Sequence, residues 1–461
     1  MRAADIKGRR VAIWGLGREG RAAIAFLRRH NPGLPLLLLD DAADNGLAPG
    51  SLAEGIEYAF GPDRIASALD NIDIIVKSPG VSLYRREIQC ARAKGIHLTS
   101  LLNLWFAERF EVRTVCVTGT KGKSTTASLI AHILTELGRR VALVGNIGIP
   151  ITGIDDAGAE IAVIEVSSYQ AADFDGLCDI AVLTSFYPEH IDWHLSVENY
   201  FRDKINLLNR SRHRIVQHAA AEIVDRFVVG SAVRQNFFDD AGSIHCRGTE
   251  IFDGAIEIGR VRNPYLARPH NLSNLCAALS VAKSLGLDPA AALDAASGFH
   301  ALPHRQQELG EIGGVLFVDD SISTIPESAL AALAVYAGRE ITLILGGHDR
   351  GLDYGQLVQT LVGGAARAVI CLGDSGERIY SLARELARRQ PEPLCLIHRA
   401  RSMADAVAYA RQVTPPGGVV LLSPAAPSYG EYRDYIERGH DFAAKVGLPP
   451  PKTFDSHSHA E

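Results

Sequence analysis

Short apolar runs recur along this chain, each closed by glycine or polar residues and followed by a stretch whose apolar positions fall at helical spacing. Such runs suit strands buried on both faces, and their alternation with amphipathic helices predicts parallel sheets joined by right-handed crossovers. The first segment carries strands over Val11–Trp14, Leu36–Leu39 and Ile72–Val76, with a helix reaching about Arg29. A second opens near Arg113 with strand Thr114–Val117 and a helix through Leu137. It continues with strands Ile161–Glu165 and Ile180–Leu183 and a helix over Tyr200–Leu208, and extends past His270. A third has strands Val315–Val318, Ile341–Leu345, Ala368–Leu372 and Val419–Leu422. The pattern predicts an α/β protein of three domains, 1–110, 111–303 and 304–461, without a solenoid repeat. The proline-rich, polar tail from Pro449 to Glu461 is expected to be mobile.

Composition narrows the class. With 461 residues, 47% apolar and 22% charged, the chain has enough apolar surface for several cores and is not a disordered protein. A net charge of -6 with scattered Lys and Arg argues against nucleic acid as a partner. The seven cysteines form no C-x-x-C pairs, and buried thiols in a reducing cytosol are the expectation. Met1–Arg10 is polar and no apolar run approaches a membrane span, so a cytoplasmic protein without a membrane partner is expected.

Val117-Thr-Gly-Thr-Lys-Gly-Lys-Ser-Thr125 is the densest concentration of candidate chemistry. It lies between a predicted strand and a predicted helix. Gly119 and Gly122 let backbone N–H groups turn toward an anion, with Thr120, Lys121 and Thr125 completing the loop. Lys123 is then placed to reach outer phosphates, and Ser124 to offer its hydroxyl to magnesium. The usual G-x-x-x-x-G-K-[ST] loop needs a glycine at position 117, which is Val117, so this is a compact variant. ATP and Mg2+ are the expected ligands.

Gly15-x-Gly17-x-x-Gly20 after the first strand, with Asp40 ending the second, is a Rossmann-like opening. By itself it is compatible with NAD, with another nucleotide or with no ligand. A separate ATP loop favours a second nucleotide-bearing substrate. In the central segment, Glu165 ends a strand, at the rim where open α/β sheets collect ligands, and Glu189-His190 follows the next strand. Carboxylate and imidazole there suit a phosphate-bridging divalent cation, although a lone histidine is commonly a hydrogen-bonded loop residue. Lys204 read alone is a solvated helix lysine.

Together these pieces resemble the Mur ligases, ATP-dependent amide-bond enzymes of peptidoglycan precursor synthesis. The resemblance rests on Thr118–Thr125, Gly145-Asn-Ile-Gly148, Glu165-Val-Ser-Ser-Tyr-Gln170, Glu189-His190, Lys204, His270-Asn271-x-x-Asn274 and Leu302-Pro-His-Arg305. The Rossmann-like start, Asp320-Ser321, Ser423-Pro-Ala-Ala-Pro-Ser428 and Arg438-Gly439 resemble the branch that adds glutamate to UDP-N-acetylmuramoyl-L-alanine. The resemblance implies a central P-loop domain with a mainly parallel sheet and a Rossmann-like C-terminal domain. It implies that Gly15, Gly17, Gly20, Asp40, Ser78 and Gly80 hold the UDP moiety and that Asn146 contacts the muramoyl substrate. Asn271 is implied at adenine, Asp320 at ribose and Arg305 at phosphate. Glu165, His190 and Ser124 are implied at magnesium, with Lys204 as a carbamylated metal ligand. The implied reaction forms an acyl phosphate and ADP before glutamate attacks, on a chain expected to be monomeric.

The third segment departs from the D-glutamate-adding pattern. The expected Asp-Ser-Lys-Ala-Thr-Asn reads Asp320-Ser-Ile-Ser-Thr-Ile325, Arg350 aligns with a lysine, and Tyr435 stands where phenylalanine is common. Thr324 and Ser428 stay available to the amino-acid carboxylates, and Arg350 can grip one bidentately. This pattern resembles an L-glutamate-adding branch, and L-glutamate is the expectation. The alternatives are the D-glutamate ligase, a folylpolyglutamate-type synthetase, an NAD-dependent oxidoreductase and a non-catalytic nucleotide-binding regulator. The oxidoreductase leaves the Lys123 loop unexplained, and the synthetase leaves the Rossmann-like opening unexplained.

Overall fold

The computed structural model describes residues 1–41, 55–108, 111–146, 151–154, 158–230, 233–300, 302–389 and 394–450. Three sheets form. The first comprises β1 Val11–Trp14, β2 Leu36–Asp40, β3 Ile56–Phe60, β4 Ile74–Lys77 and β5 His97–Thr99, all parallel, in the order β3-β2-β1-β4-β5. The strand order reverses between β1 and β4, a crevice that open α/β sheets use for ligands. The second sheet comprises β6 Arg113–Thr118, β7 Val141–Gly145, β8 Ile161–Glu165, β9 Cys178–Leu183, β10 Ser211–Gln217, β11 Arg234–Phe238, β12 Ile244–Arg247, β13 Glu250–Asp253 and β14 Ile256–Arg260. Its order is β14-β13-β12-β11-β10-β9-β6-β8-β7, parallel except for the antiparallel β12–β13–β14 meander at one edge. The third comprises β15 Gln307–Ile312, β16 Val315–Asp319, β17 Ile341–Gly346, β18 Ala368–Leu372, β19 Leu396–Arg399 and β20 Val419–Leu422. It is ordered β15-β16-β20-β17-β18-β19, and only β15 is antiparallel.

Central strands β1, β4, β8, β16, β17, β18 and β20 are buried along their whole length, as the continuous apolar runs predict for sheets covered on both faces. Two compact units result, Met1–Phe299 and His300–Glu461. Within the first unit one apolar cluster joins Val11, Ile13 and Phe26 of the first sheet's layer to Cys116, Ala162 and Ile164 of the second. The first two sheets therefore share a core. A buried ion pair, Lys77 Nζ to Asp173 Oδ2 at 3.1 Å, crosses the same junction.

The α/β expectation, with a Rossmann-like first sheet and mainly parallel sheets, holds. Some details differ. The strand expected from Ile72 starts at Ile74, because Leu69–Asn71 forms a 3-10 turn and Asp73 binds the Arg10 N–H at 2.8 Å. The cysteines are all free, but Cys90 is exposed and Cys246 half-buried rather than buried. The apolar pattern does not predict β3, β5, β7, β10, β11, β12 to β15 or β19; in β13 to β15 half-exposed polar residues break any apolar run. Most of the proline-rich tail, 451–461, lies outside the described residues, as do Ile147 and Gly148 of the Gly145–Gly148 motif. Among the described residues no helix is long and apolar enough to cross a membrane.

Candidate active site

Strand β6 ends at Thr118, and the loop that follows feeds the helix Lys123–Glu136. Gly119 has φ 147° and Gly122, the residue before the helix, φ 87°, both in the region that favours glycine. No side chain caps this helix, whose N-terminus follows directly on the loop and carries a partial positive charge. Ser124 and Thr125 lie buried in that first turn. The loop is held from outside. Thr120 N donates to Ser185 O at 2.7 Å, Lys121 N to Ser185 Oγ at 2.8 Å, and Thr184 Oγ1 to Lys121 O at 2.6 Å. The Thr120 hydroxyl meets Tyr200 OH at 2.7 Å. Lys123 Nζ donates back to Thr120 O at 2.9 Å, which places its ammonium over the loop.

Glu165, Lys204 and His190 converge on this loop. Register places Glu165 beside Val117 on one side and Gly145 on the other. Its side chain is buried: Oε1 accepts from Asn146 Nδ2 at 3.0 Å, while Oε2 has no hydrogen-bond partner. Lys204, on the helix Val197–Asn209, is 2% exposed, and its ammonium donates to Gly119 O at 2.8 Å. Burial, and then the Lys123 charge, holds its pKa well below the usual lysine value, with Glu189 and Glu165 opposing. His190, in a left-handed conformation at φ 57°, turns beside Glu189, its Nε2 3.6 Å from Glu189 Oε2. Burial lowers its pKa; Glu189 opposes this, and the Lys204 and Lys123 charges add to it. Burial alone would raise Glu189, but the Lys121 ammonium, 2.5 Å away, and its cationic neighbours hold it below the usual range.

These groups can neutralise a polyphosphate with the Lys121 and Lys123 ammonium groups and a helix terminus that no side chain caps, and offer oxygen and imidazole to a cation. Among the described residues no cluster of three His, Cys, Asp or Glu could enclose a metal alone. The unpartnered Glu165 oxygen fits magnesium, which takes one or two carboxylates, phosphate oxygens and water. Asn271, expected at adenine, is 1% exposed on the helix Pro269–Ser284; its amide donates to Tyr265 O at 2.9 Å and its oxygen accepts from Asn274 at 3.2 Å. Asn274 in turn accepts from Thr126 Oγ1 at 3.2 Å and faces Gly122, so it fits the phosphate-loop helix closely.

The first sheet's candidates form a second cluster in the same unit. Ser78 Oγ donates to Gly15 O at 2.6 Å, and Leu16 N to Asp40 Oδ2 at 2.8 Å, so the β1 turn is clamped from both neighbouring strands. Gly20 is closed, since a Cβ there would overlap Gly15 O; Gly17 and Gly80 face open space. Arg18 reaches Gly145 O at 3.0 Å and Asn146 O at 3.1 Å, linking this turn to Asn146. Glu19 accepts from Gln170 Nε2 at 2.5 Å, and burial, against Arg18 and Lys77, raises its pKa to about 7. Arg18, Glu19 and Lys77 were missed in sequence; only their nearness to the glycines and to Ser78 pointed to them. A cavity of about 650 Å3, lined in part by Arg113, Asp179 and Arg212, opens at the opposite end of the central strands and touches none of the candidate residues.

In the second unit, Thr324, Arg350 and Ser428 follow the C-terminal ends of β16, β17 and β20, three adjacent strands. Arg350 approaches Thr324 O at 3.4 Å, and His348 N binds Pro427 O at 2.9 Å beside the buried Ser428. Tyr435 starts the helix Tyr435–Val446, and its carbonyl accepts from Ser321 Oγ at 2.8 Å. Asp320 is 2% exposed, and its carboxylate is occupied by Ser323 Oγ at 2.6 Å, Ser423 Oγ at 2.7 Å and Gln306 N at 3.1 Å. That leaves less of it for a ribose than the resemblance implies. Burial raises its pKa to about 6, against the two serines and Arg305. Ile322 and Ile325 are half-buried.

Comparison with known proteins follows the same order along the chain. Residues 9–100 match the Mur ligase MurD-like N-terminal domain, 117–282 the Mur ligase middle domain, and 304–426 the Mur ligase glutamate ligase domain. A UDP-N-acetylmuramoyl-L-alanine--L-glutamate ligase of Xanthomonas axonopodis pv. citri is 40% identical, over 98% of this chain and 97% of that protein. A protein of the same description from a Micromonospora species is also 40% identical, over 97% of this chain and 98% of its own. The crystal structure of UDP-N-acetylmuramate-alanine ligase MurC from Thermotoga maritima shares the fold, with a TM-score of 0.57 at 18% identity, covering 95% of this chain and 99% of that one. With the three domain types in order and such relatives over nearly its whole length, this chain belongs to the Mur ligase family, ATP-dependent enzymes that form amide bonds.

Proposed function

We propose that this protein adds L-glutamate to UDP-N-acetylmuramoyl-L-alanine in the cytoplasm, with ATP converted to ADP and phosphate through an acyl phosphate. The observation that carries the reading is the run of substitutions at the ends of β16 and β17, Ile322, Ile325 and Arg350, in a chain whose 40%-identical relatives bear the L-glutamate name. Mirror-image glutamates present identical groups, so only shifted polar partners distinguish them. Arg350 near Thr324 supports such a shift, since a guanidinium pairs with a carboxylate through two parallel hydrogen bonds where an ammonium acts as a point charge.

The chemical step asks for position and charge. Lys123, with the N-terminus of its helix, which no side chain caps, receives the phosphates. Glu165, Ser124 and His190 would hold magnesium, which supplies charge neutralisation to the phosphates when bound. Buried Lys204, its pKa lowered by burial and by Lys123, has a larger share of the free amine, which can attack the carbon of carbon dioxide and release a proton to give an anionic carbamate beside Glu165. The β1 turn, Ser78–Gly80 and Asn146 would take the UDP-muramoyl substrate, and Asn271, Asp320 and Arg305 the nucleoside and phosphate of ATP.

The test is phosphate release with UDP-N-acetylmuramoyl-L-alanine and each glutamate enantiomer. We expect kcat/KM for L-glutamate to exceed that for D-glutamate on the order of a thousandfold. A preference for D-glutamate would refute the enantiomer, and release with neither would refute the amide-ligase substrate.

A further inference from the structure

Beside the phosphate site runs a buried chain of polar side chains that the reaction as described leaves without a role. His194 is fully buried at the end of the short helix Ile191–His194, four residues beyond His190. Its Nδ1 lies 2.6 Å from Asp203 Oδ2 and its Nε2 3.0 Å from Ser168 Oγ. With Asp203 ionised, Nδ1–H donates to the carboxylate and Nε2 accepts from the serine hydroxyl. Tyr84 OH donates to the same carboxylate at 3.1 Å. The order Ser–His–Asp is that of a hydrolase triad. Here it cannot serve as one: Ser168 is 3% exposed and His194 0%, so no substrate carbonyl reaches the hydroxyl.

What the imidazole joins is informative. Ser168 opens the helix Ser168–Ala172, three residues after Glu165, and Asp203 is the residue before Lys204. The ring thus links the segment that carries Glu165 to the one that carries Lys204, from the segment that carries His190. Its own place is fixed by the backbone, with His194 N on His190 O at 3.1 Å and His194 O held by Asn199 Nδ2 at 2.9 Å. Both imidazole nitrogens being engaged, it can hold neither a metal nor a phosphate.

We propose that His194 is a positioning residue for the phosphoryl-transfer centre: through Ser168 and Asp203 it sets the spacing between Glu165 and Lys204 around the phosphate loop. The inference rests on the assignment of that loop to ATP and magnesium. Partners that orient metal-site residues from behind are worth roughly 10- to 100-fold in metal affinity or activity when removed. A fold-level tie survives in any variant, because Asn206 Nδ2 still binds Ala171 O and Phe174 O, each at 2.8 Å.

The experiment uses the full chain with His194→Phe, which keeps a ring but breaks both links, Ser168→Ala, which breaks one, and His194→Asn, which can restore the bond to Asp203. Binding of a non-hydrolysable ATP analogue is measured by calorimetry with and without magnesium, and turnover is followed by phosphate release. We expect His194→Phe to weaken the magnesium-dependent part of analogue binding about tenfold and to lower kcat on the order of 10- to 100-fold, with the glutamate KM within about twofold. Ser168→Ala should shift both in the same direction, and His194→Asn should recover part of the loss. Unchanged magnesium dependence and kcat in folded His194→Phe would overturn the proposal; if that variant does not fold, the same result in Ser168→Ala overturns it. If the unmodified protein binds the analogue without any magnesium effect, the ATP–magnesium assignment itself fails and the proposal falls with it.

Discussion

A methyl group at Gly119 tests the phosphate loop at its tightest point. In Gly119→Ala the new Cβ would overlap Thr184 Oγ1, lie 3.0 Å from Ser185 N and 3.1 Å from Thr184 N, and sit on a backbone at φ 147°. Two of these neighbours are main-chain atoms on the next segment, so they cannot swing aside. Backbone strain of about 1–3 kcal/mol and overpacking of a similar size add to about 2–6 kcal/mol, and roughly 3 kcal/mol lies in the lower half of that range. At about 2 °C per kcal/mol for a unit of this size, the melting temperature of the first unit should fall by about 6 °C. Turnover should fall further than stability. Gly119 O is the acceptor of the Lys204 ammonium at 2.8 Å, and a displacement approaching 1 Å at a reacting centre costs on the order of a hundredfold. Gly138→Ala is the matched control: φ is 77°, but nothing lies within 4 Å of its Cβ, so only the left-handed backbone cost of about 1 kcal/mol applies and turnover should persist. Scanning fluorimetry and phosphate release on the two variants decide the matter. A Gly119→Ala protein that melts like Gly138→Ala and turns over normally would show that this loop does not grip a phosphate.

The glycines of the first turn should separate by role: Gly20→Ala, pressed on Gly15 O, should lower the melting temperature, whereas Gly17→Ala, facing open space, should leave it unchanged and weaken only UDP-substrate binding measured by calorimetry. Glu165→Gln keeps an oxygen for the Asn146 amide but removes the charge, so its half-saturating magnesium should rise about tenfold with little change in melting temperature. For Asp320, a folded pKa near 6 against an ordinary 3.8 means the folded state binds the proton more tightly, so stability falls as pH rises from 3.8 through 6 and stays reduced above that. The gap is worth roughly 3 kcal/mol, and Asp320→Asn should flatten that part of the melting-temperature profile between pH 4 and 7; an unchanged profile would remove Asp320 as its source.

What could be read ahead of the structure was whatever lies in consecutive residues. Strands Val11–Trp14, Ile161–Glu165, Ala368–Leu372 and Val419–Leu422 fall where the apolar runs are, because a strand covered on both faces needs apolar residues at every position. The phosphate loop was legible for the same local reason, its glycines encoding main-chain angles. The β13–β14 hairpin was not, since edge strands with one wet face carry Glu250, Glu257 and Arg260 in place of a run. Lys204 read as a solvated lysine; it is buried, and only the family resemblance marked it. The His194 network was unreadable because Ser168 lies 26 positions and Asp203 9 positions from the histidine, on separate helices, and neither spacing has a periodicity to betray it.

The buried Lys77–Asp173 pair bears on how members of this family could exchange parts. Recombination between the first sheet and the second would join residues before about 110 from one parent to the remainder of another. Several ties across that boundary end on main-chain atoms, such as Arg18 on Gly145 O and Asn146 O, and Trp193 Nε1 on Pro79 O at 3.1 Å. Any parent supplies those acceptors. The Lys77–Asp173 pair needs both side chains at once, each nearly solvent-free, and a hybrid that keeps Asp173 without Lys77 strands a carboxyl in the core at about 3–5 kcal/mol. Crossovers that inherit both residues together, or replace both with apolar ones, are the viable ones, so this contact, with the Glu19–Gln170 and Tyr84–Asp203 pairs, acts as a compatibility lock on the modularity of the chain.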